Sequence, residues 1–272
     1  MIRSILCGFL FCSLLATTVV AQSSGTRRLT DRDDLFGWEG VGRLDLADTG
    51  FCTGTLIAPD LVLTAAHCAL DKRTSKPYVS GQITFRAGLS DGRSLADREI
   101  VQIAVHPDFL TDAPVSADRV RIDVALMRLN EPIPYSVANP FALHSGRVSD
   151  DEISVTSYGR GRADAITRQR SCRILRRVQG LISFDCDVTF GSSGSAILAK
   201  SGSRWQILSV VSAVGTDGQK KIGYGMELSG IVSDLKTILR RDAPQPKATI
   251  RRLQVGSGKS NSGAKFISSG GS

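Results

Sequence analysis

The turn Phe190-Gly191-Ser192-Ser193-Gly194-Ser195 places a serine between glycines and runs directly into the apolar Ala196-Ile197. Glycine on both sides lets the backbone bend sharply and brings main-chain N–H groups close to the hydroxyl. That is the local make-up of a nucleophile, although a Gly/Ser loop without chemistry has the same composition. A serine hydroxyl is a weak nucleophile and needs a base in hydrogen-bond reach. An imidazole base needs, in turn, a carboxylate that fixes its tautomer and stabilises the imidazolium. Ser193, His67 and Asp123 are the expected set. Asp123 heads the apolar run Val124-Ala125-Leu126-Met127, where burying an unpaired carboxylate costs on the order of several kcal/mol. Orienting a histidine supplies its partner. Asp108, Asp112 and Asp118 lie nearby, but none leads such a run. A tetrahedral oxyanion needs preorganised donors, expected from the backbone N–H groups of Gly191 and Ser193, where a side chain at 191 would be an obstruction.

The elements that position these residues read as strands. Few aromatics and 27 glycines suit an all-β chain with many turns. Phe51-Cys-Thr-Gly-Thr-Leu-Ile57 and Leu61-Val-Leu-Thr64 are short runs of β-formers separated by the turn Ala58-Pro-Asp60. Further strands are expected from Trp38, around Ile83, from Ile100, after Asp123, from Asp151 to Gly159, in two runs between Cys172 and Cys186, and at Ala196, Gln206 and Tyr224. Leu110 to Arg121 reads as a long loop, His106-Pro107 as a structural strand exit, and Glu131-Pro-Ile-Pro as a turn between halves. Ile231, Leu235, Ile238 and Leu239 have helical spacing.

The chain has 272 residues and a net charge of +8. Arg3, the apolar stretch Ile5 to about Leu15, and Val19-Val-Ala21 form the pattern of an export signal cleaved after Ala21. The alternative, a membrane anchor, needs a longer apolar run. Residues 22–34 read as a flexible polar arm. Without the signal, Cys52, Cys68, Cys172 and Cys186 remain. An even count in an exported protein argues for two disulfides, with three pairings open. No CxxC is present and neither pair has metal-ligand spacing, so no metal or cofactor is expected. Basic residues cluster between Arg160 and Arg177 and in a tail, 243–272, whose composition reads as disordered. They are expected to be solvated surface, with the tail able to associate weakly with anionic envelope surfaces. No nucleic-acid motif accompanies them.

Cys52-Thr-Gly-Thr-Leu-Ile, Val62-Leu-Thr-Ala-Ala-His67-Cys68, Asp123-Val-Ala-Leu and Gly191-Ser-Ser193-Gly-Ser, in that order, resemble the trypsin-like serine proteases. The resemblance implies two six-stranded antiparallel β-barrels of the chymotrypsin type over residues 35–242, handing over near 131–150, with a short C-terminal helix. It implies a monomeric endopeptidase acting on proteins or peptides, with His67, Asp123 and Ser193 catalytic and Asp187, Phe190 and Ser212 binding substrate. It further implies a Cys52–Cys68 bridge, worth about 3 kcal/mol in the chain-entropy model, and a Cys172–Cys186 bridge. Asp187, six residues before Ser193, implies a preference for Arg or Lys. The chain departs from the common Gly-Asp-Ser-Gly-Gly pattern: Ser192 replaces the aspartate that in trypsin pairs with a freed amino terminus, Ser195 replaces the second glycine, and no Ile-Val-Gly-Gly is present. The Gly-x-Ser-Gly-Ser form is similar to bacterial exported members, including glutamyl endopeptidases, although Val210-Val-Ser-Ala-Val-Gly-Thr lacks the pocket histidine of that branch. A catalytically silent relative that binds peptides or surfaces is the competing expectation.

Overall fold

The computed structural model describes residues 25–47, 50–145 and 152–243; the export signal with its cleavage site and the tail beyond Ala243 lie outside the described residues. Six strands close the first barrel: β1 (Val41–Leu46), β2 (Phe51–Ala58), β3 (Leu61–Thr64), β4 (Ile83–Ala87), β5 (Ala96–Val105) and β6 (Ala125–Leu129). Around the ring they run β1-β2-β3-β6-β5-β4, all antiparallel. Alternation does the sorting: Ile83, Phe85 and Ala87 of β4 point inward and join Leu44, Leu56, Val62, Ile100 and Met127 in one buried cluster.

The second barrel comprises β7 (Glu152–Gly159), β8 (Arg162–Val178), β9 (Leu181–Phe184), β10 (Ala196–Ser201), β11 (Arg204–Val210), β12 (Ala213–Asp217) and β13 (Lys220–Met226), paired in the order β11-β10-β7-β8-β9-β13-β12. Strands β11 and β12 are one strand interrupted at Val211-Ser212. There Ser212 N–H donates to Tyr224 O and Met226 N–H donates to Ser209 Oγ, each at 2.9 Å, bringing the path back to its start. Counted that way the second ring also has six strands, as expected. The 17-residue β8 shifts register between Ile174 and Arg176 and so serves both halves of the ring.

Disulfides join Cys52 to Cys68 and Cys172 to Cys186. The expected long loop contains a short helix, α1 (Ala117–Arg121), whose first turn is capped by the Ser116 hydroxyl accepting the Arg119 N–H at 3.2 Å. The C-terminal helix α2 (Ser229–Arg241) buries Val232, Leu235 and Leu239. It packs on the first barrel, where Gln102 Nε2 donates to Leu239 O at 2.8 Å.

From residue 25 onward the polar N-terminal segment is not a free arm. Arg27–Arg28 forms a short strand paired with Thr167 and Arg168 of β8, and Leu29 N–H donates to Ile166 O at 2.8 Å. Its charges are spent on ion pairs: Arg27 with Asp34 at 2.6 Å, and Arg28 with Asp164 at 2.5 Å and with Asp91 of the first barrel. Beside it, the guanidinium of Arg168 lies between the two tryptophans, 4.1 Å from the Trp38 ring centre and 4.9 Å from that of Trp205. Burial there, with Arg170 nearby, brings the Arg168 pKa down to about 10.

Candidate active site

The first barrel delivers the histidine and the aspartate. His67 sits in the single 3-10 turn Ala66–Cys68 that follows β3, held to β2 by the Cys52–Cys68 bridge. Asp123 lies just before β6, the neighbour of β3 in the ring, so adjacent strand ends carry the two side chains. The Asp123 carboxylate is fully buried and uses both oxygens on the same residue. Oδ2 meets His67 Nδ1 at 2.8 Å and Oδ1 accepts the His67 backbone N–H at 2.9 Å. Ser212 Oγ also donates to Oδ2, at 2.5 Å, and is the third donor to the carboxylate. Burial pushes the Asp123 pKa up, but His67 and the Ser212 hydroxyl outweigh it and hold the carboxyl below its ordinary value. His67 itself is half-buried.

The second barrel delivers the serine turn, which is pressed against β2 and β3. Thr53 N–H donates to Ser193 O and Thr53 Oγ1 donates to Gly191 O, both at 2.9 Å. Gly194, at φ +77°, backs onto the residues that lead to His67: a Cβ there would stand 2.0 Å from Thr64 Oγ1 and 2.8 Å from Ala65 N. Gly191, at φ +90°, leaves no room for a side chain either, since a Cβ would meet the Phe51 ring at 2.2 Å. The amides alternate in use. Ser192 N–H donates to Thr189 O, Gly194 N–H to Val211 O and Ser195 N–H to Ser192 O. Among the described residues, the N–H groups of Gly191 and Ser193 have no protein acceptor. Two free amides flanking a half-buried serine are donors for a developing negative charge.

The residues expected to bind substrate are placed differently. Ser212 is buried and its hydroxyl is committed to Asp123, so it supports the carboxylate from behind. Phe190 is exposed and stacks under the Arg160 guanidinium at 4.3 Å. Asp187 is half-exposed and already paired: Arg162 donates to its Oδ2 and to its backbone O at 2.8 Å each, and Thr26 Oγ1 donates to Oδ2 at 3.3 Å. The Arg162 hydrogen bond holds the Asp187 pKa below its ordinary value. His106 occupies a turn, accepting the Asp108 N–H on Nδ1 at 3.2 Å. Ser157 and Arg162 emerge as site neighbours, as does Thr53, which lies in the Cys52-Thr-Gly-Thr string but to which the resemblance assigns no role at the site.

A two-barrel fold with an Asp–His pair from one barrel, and a serine turn from the other packed against the strand that leads to that histidine, defines the chymotrypsin-type class. The family model described as Trypsin matches residues 38–233, and the chain belongs to the trypsin family. It is 29% identical to the ovochymase of Halocynthia roretzi over 161 residues, which is 54% of this chain and 9% of that protein. It is 22% identical over 166 residues to the venom serine protease of Polistes dominula, covering 56% of this chain and 55% of that protein, and 28% identical over 150 residues to the serine protease Hayan of Drosophila melanogaster, covering 53% and 22%. The match therefore spans between about a tenth and about half of the length of these relatives. A solved structure of Glu endopeptidase in complex with MPD shares the fold, with a TM-score of 0.65 at 19% identity over 81% of this chain and 99% of that one.

Proposed function

We propose that the chain is a serine endopeptidase that cleaves peptide bonds through an acyl-enzyme on Ser193. The observation that carries this reading is the buried Asp123 carboxylate gripping His67 through both ring and backbone nitrogens, together with a serine turn with two free amides packed against the strand that leads to His67. Asp123 accepts the Nδ1 proton and so leaves Nε2 as the basic nitrogen. Nε2 takes the Ser193 hydroxyl proton as Oγ attacks the scissile carbonyl, and the oxyanion collects the N–H groups of Gly191 and Ser193. The imidazolium then protonates the departing amine, and a water repeats the sequence to release the acid.

A preference for Arg or Lys rests on Asp187 alone and has little physical support, because Arg162 already occupies that carboxylate. A bacterial origin, export with cleavage after Ala21, action as a monomer outside the cytoplasm and weak attraction of the basic tail to anionic envelope surfaces belong to the same proposal. The two disulfides, which persist in oxidising compartments, favour export. The rival reading, a silent peptide-binding relative, leaves the double grip on His67 without a purpose. A fluorophosphonate probe separates the two: the wild type becomes labelled at neutral pH and Ser193→Ala does not. A folded wild type that resists labelling sinks the enzyme reading.

A further inference from the structure

The serine turn is held without a charge. Ser192 is fully buried, its hydroxyl hydrogen-bonds to Ser157 Oγ at 3.2 Å, and it accepts the Thr189 N–H at 3.3 Å. On the opposite side Thr53 Oγ1 donates to Gly191 O at 2.9 Å while accepting the Tyr158 N–H at 3.0 Å, and Thr53 N–H donates to Ser193 O at 2.9 Å. Thr53 therefore grips the carbonyls of both residues whose amides are free. Tyr158 is itself anchored, its buried hydroxyl donating to Leu89 O at 3.0 Å. Among the described residues no carboxylate or ammonium takes part in these bonds; the neighbouring Arg162 guanidinium donates to Asp187 through Nη1 and Nη2, and its buried Nε has no partner.

We propose that Thr53 is the positioning residue of the oxyanion turn and that, with the Ser157–Ser192 hydrogen bond, it forms a neutral clamp that makes the site competent on folding, independently of a charged amino terminus. The inference rests on the serine-endopeptidase reading of the same site. A buried carboxylate at 192 demands a counter-ion, and the turn would be distorted until one arrived. Hydroxyls demand only each other, and each such bond is worth about 1 kcal/mol net. They form as the second barrel docks on β2. The clamp also crosses the seam, because Thr53 belongs to the first barrel while Tyr158 and Gly191 belong to the second. Loss of the hydroxyl loosens the turn while leaving the Asp123–His67 pair in place.

The test uses the full-length chain, with p-nitrophenyl acetate turnover and the rate of fluorophosphonate labelling as readouts. Thr53→Val removes the hydroxyl at nearly constant volume and keeps the backbone N–H. It is expected to lower kcat about ten- to a hundredfold with KM within about threefold, since the loss falls on transition-state stabilisation. Thr53→Ser restores kcat to within about threefold of wild type. Acetylating the amino terminus of the wild type leaves kcat within about twofold. The proposal is overturned if Thr53→Val matches wild type in kcat, or if acetylation removes most of the activity. Should Thr53→Val fail to fold, Ser192→Ala carries the same expectation and the same refutation. A wild type that neither labels nor turns over refutes the enzyme reading instead. The clamp is then judged by whether Thr53→Val shifts the amide resonances of Gly191 and Ser193; unshifted resonances refute it.

Discussion

The two barrels share a plan and differ in filling. The interior of the first is mostly hydrocarbon: Leu44, Leu56, Val62, Ile83, Phe85, Ile100 and Met127 pack together in it. Of its buried polar side chains, Thr53, Thr64 and Asp123 place their bonds at the site, on Gly191, on Thr53 O and on His67, while the Thr55 hydroxyl has no partner among the described residues. The second barrel buries Ser154, Thr156, Ser157, Thr167, Gln169, Ser192, Ser195 and Ser209 within its own walls. Charge follows the same divide: residues 152–228 carry eleven Lys and Arg against six Asp and Glu, whereas 38–145 carry ten against thirteen. The apolar barrel is a stiff mount for the Asp123–His67 pair and holds its spacing. The polar barrel can supply hydrogen bonds to a turn that no regular strand would hold. Neither alone makes a site.

The sharpest way to break this division of labour is Asp123→Asn, which keeps the shape of the grip and removes its charge. On the triad pattern kcat should fall by about four orders of magnitude with little change in secondary structure, measured by turnover and circular dichroism. A fall of only severalfold would mean that the first barrel does not supply the working base. Next in size is packing. Phe85→Ala empties the first core and should cost about 3–5 kcal/mol in urea unfolding. Thr156→Val in the second barrel should cost almost nothing, because its buried hydroxyl has no partner among the described residues. Equal losses would abolish the contrast.

A smaller effect tests the electrostatics of the mount. Asp123 has its folded pKa held below the ordinary 3.8, so its contribution to stability is fully present above the unfolded value and fades as pH falls through the folded one. The stability gap between wild type and Asp123→Asn should therefore be flat at higher pH and shrink below about pH 4, followed by urea unfolding. Smallest is Arg162→Ala, which frees Asp187 on the second barrel. Cleavage after Arg or Lys relative to neutral residues should rise by about threefold or more in a peptide-library profile. No change would show that Asp187 does not face the substrate.

The parts of the site that were legible in the sequence are those carried by contiguous strings. Thr64-Ala-Ala-His67-Cys68 and Gly191-Ser-Ser193-Gly194 announce themselves because backbone bends and a strand exit need those residues side by side. The strand runs were legible for the same reason, and the amphipathic α2 by its spacing. Of the contacts between distant positions, the pairing of Asp123 with His67 and the two disulfides were expected, and the others were not. Thr53 meets Gly191 across 138 positions, Ser212 meets Asp123 across 89, and Arg162 meets Asp187 across 25. Each of these is an ordinary polar residue until the barrels close. Ser212 and Asp187, expected to bind substrate, also hydrogen-bond to other protein groups that the sequence did not point to, because such partners are decided by tertiary proximity. The N-terminal segment misled through its composition, since polar residues that look solvent-bound are equally suited to ion pairs. Helix α1 was too short to carry a period.

The stacking of Arg168 between Trp38 and Trp205 has an optical consequence. These are the only indoles in the chain, and both touch the same guanidinium. Tryptophan emission therefore comes from a single address, where the residues ahead of the first barrel meet the wall of the second. The molecule carries its own lamp at that junction.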